Sequence, residues 1–341
     1  MSYKKYMVYL ILCLMLITTM TGCVLSKKND KTDSDVDMSD LTNMKNGDEL
    51  MMHGDEEDEE IDIEIRETLL YYQDDNGYLV PVVRKIPWEE GIAKAALNMM
   101  KDTQEQQMDF MAMGLKPVLP ATAKINGLSI QNGLAKLDLS KEVMKLDNAV
   151  EENNMVQGIV MTLCEFPAIE RVQFLFDGEI IDSLKYGTDV SRPLEPQNLN
   201  LELGTTDRID GGVVTVFYHN RTSSQYSYLV PITRIIAHDS PTLEKAIEEL
   251  IKGPKPESGL DFDIPLGTKL LGVQIEDGIA SINFSSEFKN LSSYSNNEEI
   301  VIRAICMTAK QFPTVEKVNI LVEGENYTPE GVTVSTFVNE Y

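Results

Sequence analysis

The chain has 341 residues, enough for two domains of ordinary size, and 43% of them are hydrophobic, so a packed core is possible over most of its length. It carries a formal net charge of -25. So acidic a surface argues against nucleic acid as a partner, because the phosphates would repel it. A basic partner remains compatible with this charge, although a negative surface also serves solubility alone.

The first 23 residues have a basic start, a short apolar run and small residues before a cysteine. Lys4 and Lys5 give the positive charge, residues 8–17 form the apolar run, and Met20-Thr21-Gly22-Cys23 ends the segment. About ten apolar residues are too few to span a membrane but suit the core of a signal peptide. The segment is therefore predicted to direct export.

The four residues that end this segment resemble the lipobox of bacterial lipoproteins, although that pattern prefers Leu at Met20. The resemblance implies cleavage after residue 22 and a diacylglycerol thioether on Cys23, with palmitate-type acyl chains. Two acyl chains anchor a protein stably where one is marginal. The alternative is an uncleaved N-terminal membrane anchor.

Residues 23–60 are predicted to form an acidic disordered tether. Between Asp30 and Glu60 there are 13 acidic residues, two lysines and no aromatic residue. Such a segment cannot bury enough apolar area to offset the entropy of ordering, and its like charges extend it. Residues 33–37 alternate aspartates as a calcium loop does, but they lack its later glycine and glutamate, so only weak counterion binding is expected.

The remainder of the chain repeats itself. Tyr78-Leu79-Val80-Pro81 recurs 150 residues later as Tyr228-Leu229-Val230-Pro231, residues 125–140 match 270–285, and residues 169–179 match 315–325. Collinear matches over about 110 residues indicate tandem domains rather than a solenoid. The predicted boundaries are 61–191 for the first domain, 192–212 for a linker and 213–341 for the second domain.

Each copy is predicted to have the order β-β-α-β-β-α-β, an α+β fold with a mixed sheet and two helices. The expected elements of the first copy are strands 61–73 and 78–86, helix 88–101, a hairpin turning at Asn132-Gly133, helix 149–164 and strand 171–176. Those of the second copy are strands 213–219 and 227–235, helix 241–252, hairpin strands 270–275 and 279–284, helix 298–311 and strand 317–322. Ser240 is the expected N-cap of helix 241–252, with Pro241 at its first position and Gly253-Pro254 at its end.

The second copy carries the residues of a family resemblance. They are Ile264-Pro265-Leu266-Gly267-Thr268-Lys269-Leu270-Leu271, Glu276-Asp277-Gly278-Ile279-Ala280, Asn283-Phe284-Ser285, Gln311-Phe312-Pro313 and Val315-Glu316-Lys317-Val318. This pattern resembles the GerM domain of sporulation and germination proteins. The first copy keeps the 125–140 hairpin and Phe166-Pro167, but it has Leu119-Pro120-Ala121-Thr122 where the family has glycine-threonine. The resemblance covers about residues 62–190 and 210–340.

This resemblance implies a fold similar to the ring-building-motif modules of secretion and sporulation machines, and a non-enzymatic role. Proteins of the family act in spore-formers between mother cell and forespore, where they support assembly of a transenvelope complex. For this chain it implies envelope proteins of a sporulation complex as partners. It also implies a lipid-anchored location, on the outer face of the cytoplasmic membrane or in the space between the two cells. No binding residue is carried over from the family.

The residues give no pattern of a catalytic or metal site, so the chain is predicted to be no enzyme and to need no cofactor. His53, His219 and His238 lack metal-ligand spacing, and no nucleophile or phosphate-loop motif is present. Glu142 and Glu287 recur between the copies and are expected at helix starts or on the surface. Three further features each carry an expectation. They are two free buried thiols at Cys164 and Cys306, a packed helix end or interface anchor at Trp88, and packing or an adaptable contact surface at Met99, Met100 and residues 108–113.

The predicted function is a membrane-anchored, non-enzymatic binding and assembly module of spore formation or germination. One alternative is an extracytoplasmic ligand-binding lipoprotein with a cleft between its two domains, but hairpin-rich units differ from the parallel sheets usual in such lobes. Another is a general cell-envelope lipoprotein. An enzyme acting on wall polymer would need paired carboxylates or a metal site.

Overall fold

The computed structural model describes residues 65–87, 91–202, 211–221, 226–237, 240–293, 298–328 and 338–340. Residues 61–341 form one compact unit, and residues 1–60 lie outside the described residues. The predictions for the signal segment, Cys23 and the tether therefore concern residues that the structure does not describe.

Among its described residues, the first domain contains two three-stranded sheets and three α-helices. Strands β1 and β2 pair antiparallel from Ile65↔Pro87 to Gln73↔Leu79, and β3 pairs with the other edge of β1. In the second sheet β4 pairs antiparallel with β5, which pairs parallel with β6. The elements are β1 Ile65–Asp74, β2 Leu79–Pro87, α1 Ile92–Met99, α2 Gln104–Met111, β3 Leu115–Lys116, β4 Ile125–Gln131, β5 Gly133–Leu139, α3 Ala149–Cys164 and β6 Ile169–Phe176.

The second domain repeats this plan with one strand supplied from outside it. Strand β9 lies between β8 and the short β7, which belongs to the segment after the first domain. The other sheet has the order β10-β11-β12-β13, with β11 and β12 parallel. The elements are β7 Leu201–Glu202, β8 Val213–Arg221, β9 Ser227–Ile235, α4 Leu243–Ile251, β10 Leu270–Glu276, β11 Ile279–Phe284, α5 Glu298–Ala309, β12 Lys317–Val322 and β13 Glu325–Asn326.

The predicted α+β fold is confirmed, and the predicted strands and helices follow one another in the expected order in both copies, but the first copy inserts α2 and β3 between α1 and β4. The mixed sheet of each copy consists of the hairpin and the last strand, whereas the first strand pair forms a separate sheet. Both hairpins turn at two residues with positive φ, Asn132 and Gly133 (52° and 73°) and Asp277 and Gly278 (49° and 78°). Two consecutive positive φ angles give the turn that matches the twist of an antiparallel pair, and Asn-Gly and Asp-Gly adopt them readily.

The helices agree with the prediction at their centres and differ at some ends. Helix α3 spans Ala149–Cys164 as predicted, with Asn148 accepting a hydrogen bond from the Glu151 amide. The expected N-cap at Ser240 is wrong, because Thr242 accepts the capping bond from the Lys245 amide and α4 begins at Leu243. The chain thus starts this helix two residues later, and Pro241 lies before it.

Helix α2 is absent from the predicted element order, which has no helix between residue 101 and the first hairpin. It begins after Thr103, which accepts a hydrogen bond from the Gln106 amide. Phe110 is its buried apolar anchor, with its ring centroid 4.1 Å from that of Tyr72. Met108 and Met111 are exposed. The helix escapes prediction because glutamines replace most of the apolar stripe that would mark it.

One hydrophobic core runs through both domains. The larger of two clusters of buried side chains contains residues of β1, β2 and α3 of the first domain and of β8, β9 and α4 of the second domain, and the smaller cluster includes Phe217 and Leu229. Members from the two sides include Leu70, Tyr72, Val80, Val216, Tyr218 and Val230. Buried apolar side chains therefore continue from one domain into the other.

Candidate functional site: the interface between the domains

The repeated Tyr-Leu-Val-Pro segments meet where the two domains touch. Strand β2, which carries Leu79 and Pro81, lies beside β9, which carries Leu229 and Pro231. These two strands belong to different sheets and share no ladder of backbone hydrogen bonds. Side chains from the segments that follow each domain bond to the strands instead.

Asn200, in the segment after the first domain, bonds to both strands. Its Oδ1 accepts a hydrogen bond from the Leu79 amide at 2.9 Å, and its Nδ2 donates to the Leu79 carbonyl at 2.8 Å. The same Nδ2 donates to the Pro231 carbonyl of the other domain at 2.8 Å. An amide side chain offers the donor and the acceptor that a neighbouring strand would offer.

Asn339, after the second domain, repeats these contacts with the domains exchanged. It accepts from the Leu229 amide at 2.8 Å and donates to the Leu229 carbonyl at 2.9 Å. Its Nδ2 also donates to the Pro81 carbonyl at 2.8 Å. We call Asn200 and Asn339 the asparagine bridges. Their matching contacts give the interface an approximate two-fold symmetry.

Each domain also contributes backbone to the other. After the first domain, Leu201 pairs parallel with Thr233 of β9. After the second domain, Glu340 pairs parallel with Val83 of β2. Because both segments cross to the opposite domain, separating the domains would break backbone bonds on both sides of the interface.

A buried polar contact lies at the centre of this arrangement. Asp74 Oδ2 accepts a hydrogen bond from Asn220 Nδ2 at 3.0 Å, and Asn220 also donates to the Tyr228 hydroxyl at 2.6 Å. Asp74 Oδ1 accepts from the amides of Asn76 at 3.0 Å and Tyr78 at 2.8 Å. Burial raises the pKa of the Asp74 carboxyl, and the hydrogen bonds from Tyr78, Asn76 and Asn220 oppose that shift.

A cavity of about 380 Å³ lies between the domains. Its lining residues come largely in equivalent pairs, Leu69 with Thr215, Tyr71 with Phe217, Pro81 with Pro231, and Glu165 with Gln311. The pairs differ in chemistry, because only the first domain contributes a carboxylate. The Tyr71 hydroxyl donates to Glu165 Oε1 at 3.2 Å, and burial raises the pKa of Glu165 while this bond lowers it.

A larger open cleft of about 860 Å³ lies between α3, the segment after the first domain and β9. Side-chain amides dominate its polar lining, and Glu202 is the charged residue that lines it. The amides belong to Asn153, Asn154, Gln157, Gln197, Asn198 and Asn200. Such groups both donate and accept hydrogen bonds, which suits a neutral polar ligand.

The residues singled out from the sequence do not converge. His219 is a buried core histidine whose Nε2 lies 3.3 Å from Asp263 Oδ2. Glu142 and Glu287 lie in the first turns of the short 3-10 helices Lys141–Met144 and Ser286–Ser293, as predicted. Among the described residues, no group of three or more His, Cys, Asp or Glu side chains is placed to hold a metal ion.

Cys164 and Cys306 are both free thiols, as predicted, but only Cys306 is fully buried. Burial raises the pKa of both thiols to about 11. Trp88, His53 and His238 lie outside the described residues. Within the part of the chain that the structure describes, no helix is long and apolar enough to cross a membrane.

The sequence did not reveal the interface residues. Asn200 bonds to a leucine 121 positions away and Asn339 to one 110 positions away. Neither asparagine lies in a segment that aligned between the copies. The one available signal was the identical Tyr-Leu-Val-Pro segment, which marked β2 and β9 without naming what binds them.

Comparison with known proteins agrees with this architecture. The Germane family model, described as sporulation and spore germination, matches residues 69–182 and 215–328. The spore germination protein GerM of Bacillus subtilis (strain 168) is 29% identical over 264 residues, which cover 75% of this chain and 71% of that protein.

A solved structure of the tandem GerMN domains of the sporulation protein GerM from Bacillus subtilis is also similar. It superposes with a TM-score of 0.67 at 28% identity, over 81% of this chain and 99% of that one. The family model matches twice, once in each domain, and the tandem arrangement matches as a whole. The chain therefore belongs to the Germane family of sporulation and spore germination proteins and carries two copies of its domain.

Proposed function

We propose that the chain is a lipoprotein anchored through Cys23 that acts without catalysis as a docking module in spore formation or germination. In this role it supports a transenvelope complex between mother cell and forespore, and its partners are envelope proteins of that complex. The observation that carries the proposal is the match of both domains, in tandem, to the sporulation family.

The interface between the domains supports this role. Two copies of one domain are held in a single arrangement by the asparagine bridges and by the backbone pairing of Leu201 with Thr233. Buried apolar side chains from both domains also contribute. A rigid pair presents both outer surfaces at a fixed spacing, so a partner can bind both without ordering a flexible joint. The acidic tether of residues 23–60 would give this pair reach from the membrane.

The lipid anchor has a direct test with a matched control. Cells that express wild type, Cys23→Ser or Cys13→Ser are labelled with an alkyne analogue of palmitate. Wild type and Cys13→Ser should carry the label, because Cys13 lies in the segment predicted to be removed. Cys23→Ser should carry none and should leave the membrane fraction. Labelled Cys23→Ser protein would refute anchoring at this residue.

Assembly is tested by capture of the tagged protein from sporulating cells after crosslinking, followed by mass spectrometry. The proposal expects proteins of the forespore and mother-cell envelopes to be enriched over a capture of the Cys23→Ser variant. An enrichment no greater than that of an unrelated tagged lipoprotein would contradict it.

A second candidate, a ligand-binding lipoprotein, is favoured by the amide-lined cleft. Its volume of about 860 Å³ is of the size that small-molecule sites have. A thermal-shift screen of neutral polar compounds tests this candidate. A hit whose effect is lost in Asn153→Ala would support it, and a screen without hits would remove it.

A further inference from the structure

The two residues at the centre of the interface occupy the same position in the two copies. In the first domain Tyr71 pairs with Pro81, and in the second domain Phe217 pairs with Pro231. Three residues after these aromatic positions come Asp74 and Asn220. The equivalent residues therefore face each other across the approximate two-fold axis, 3.0 Å apart.

This contact is chemically asymmetric although the surfaces around it match. Asp74 is 0% exposed and Asn220 is 8% exposed, so neither is solvated. The Asp74 carboxylate accepts from the Asn220 amide and, at 3.5 Å, from the Tyr228 hydroxyl. The asparagine bridges on either side make the same bonds in both directions and distinguish neither domain from the other.

Because the two copies have matching interface surfaces, the first domain of one molecule could also meet the first domain of another molecule through this surface. Two first domains that met in this way would place two Asp74 carboxylates about 3 Å apart in a buried site, without the Nδ2 donor that Asn220 supplies. Two like charges at this distance cannot both stay ionised without a large cost. If the first domains of two molecules paired, both second domains would stay available to bind further molecules. The result would be an open chain of molecules rather than a closed unit.

We propose that Asp74 and Asn220 select the partner at this interface: a first domain, which brings the Asp74 carboxylate, pairs with a second domain, which brings the Asn220 amide, and not with the first domain of another copy. The linker then favours the second domain of the same chain, because it holds that domain at a high local concentration. Because the two copies differ at this position, the interface forms between the two domains of one molecule rather than between like domains of two molecules.

The Asn220→Asp variant tests the proposal, since it recreates inside one chain the contact that two first domains would make. The experiment uses the full chain in a mild detergent and follows hydrogen exchange of the Leu79 and Leu229 amides, which the asparagine bridges hold. Asn220→Asp should speed exchange at both amides by about 10-fold or more. The variant Asp74→Asn with Asn220→Asp, which swaps the two groups, should return both rates to within about 3-fold of wild type.

The swapped variant separates pair selection from ordinary damage to a buried site. Two substitutions that merely disturb packing would add, whereas two that exchange carboxylate and amide cancel. If Asn220→Asp does not fold, recovery of folded protein with the swapped variant supports the proposal. Exchange rates of Asn220→Asp equal to wild type, or a swapped variant no better protected than Asn220→Asp, would overturn it.

Discussion

At the scale of single residues, burial governs the chemistry of the two body cysteines. Cys164 lies at the end of α3 beside Glu165, and burial followed by the negative charges of Glu165 and Glu195 raises its pKa to about 11. The thiolate is the reactive form, so a thiol with such a pKa is nearly inert at neutral pH. This agrees with a structural role for both cysteines.

The first prediction concerns the rate at which these thiols react. At pH 8 a thiol with the ordinary pKa of 9.0 is roughly one-tenth thiolate, whereas one with a pKa near 11 is roughly one-thousandth thiolate. Native protein with Cys13→Ser and Cys23→Ser should therefore react with iodoacetamide about 100-fold more slowly than after unfolding. Mass spectrometry of the alkylated protein over time measures this. Rapid labelling of Cys164 in the native protein would contradict it.

The residues that matter most at the interface could not be read from the sequence. In the sequence, Asp74 begins Asp74-Asp75-Asn76-Gly77, a pattern that indicates a turn, and its Oδ1 does accept hydrogen bonds from two amides of this turn. Its other oxygen faces Asn220, 146 positions away. Local patterns predict local bonds, and nothing in the segment around Asp74 shows which side chain a distant strand brings to it.

At the scale of elements, helix α2 distinguishes the first domain from the second. It is attached through Phe110, which packs on Tyr72 and lies under the Arg84 guanidinium at 4.9 Å. Arg84 also forms an ion pair with Asp109 at 3.0 Å. Phe110 and Asp109 thus attach the helix to β1 and β2.

The second prediction compares two side chains of this helix. Phe110 is 0% exposed and Met111 is 79% exposed. Phe110→Ala should lower the free energy of unfolding by about 3–5 kcal/mol, because it removes a buried ring and leaves a cavity. Met111→Ala should change it by no more than about 0.5 kcal/mol, since the site is on the surface. Urea unfolding of the two variants gives both values, and equal effects would contradict the placement of α2.

The elements that sequence patterns predicted well are those with strong local signals. Asn132-Gly133 and Asp277-Gly278 both form the expected turns, and α3 matches its predicted bounds. Helix α2 and the Thr242 cap were missed, because a glutamine-rich helix has a weak apolar period and Ser240, Pro241 and Thr242 present competing start signals. The internal repeat is the most informative feature of the sequence, because an element indicated in one copy predicts the equivalent element in the other.

At the scale of the whole molecule, the two domains are held together by side-chain and backbone hydrogen bonds in addition to the linker.

The third prediction is that an asparagine bridge contributes more to the free energy of unfolding than a neighbouring asparagine does. Asn200→Ala leaves the Leu79 amide and carbonyl without their partner and should cost about 1–3 kcal/mol of unfolding free energy. Asn198→Ala, two positions earlier on an exposed side chain, should cost less than about 0.5 kcal/mol.

Urea unfolding of both variants at neutral pH, under identical conditions, measures these free energies. A bridge variant as stable as Asn198→Ala would show that other contacts alone hold β2 and β9. A loss confined to the second domain would also contradict the account, because Asn200 bonds to both strands.

The measurement that tests the central claim most directly is differential scanning calorimetry of the unlipidated full chain. If the two family domains form one body, they unfold in a single transition whose calorimetric and van't Hoff enthalpies agree. Two separate transitions, or a van't Hoff enthalpy near half the calorimetric value, would show that the domains unfold independently, which would contradict the account of a tandem pair acting as one docking unit.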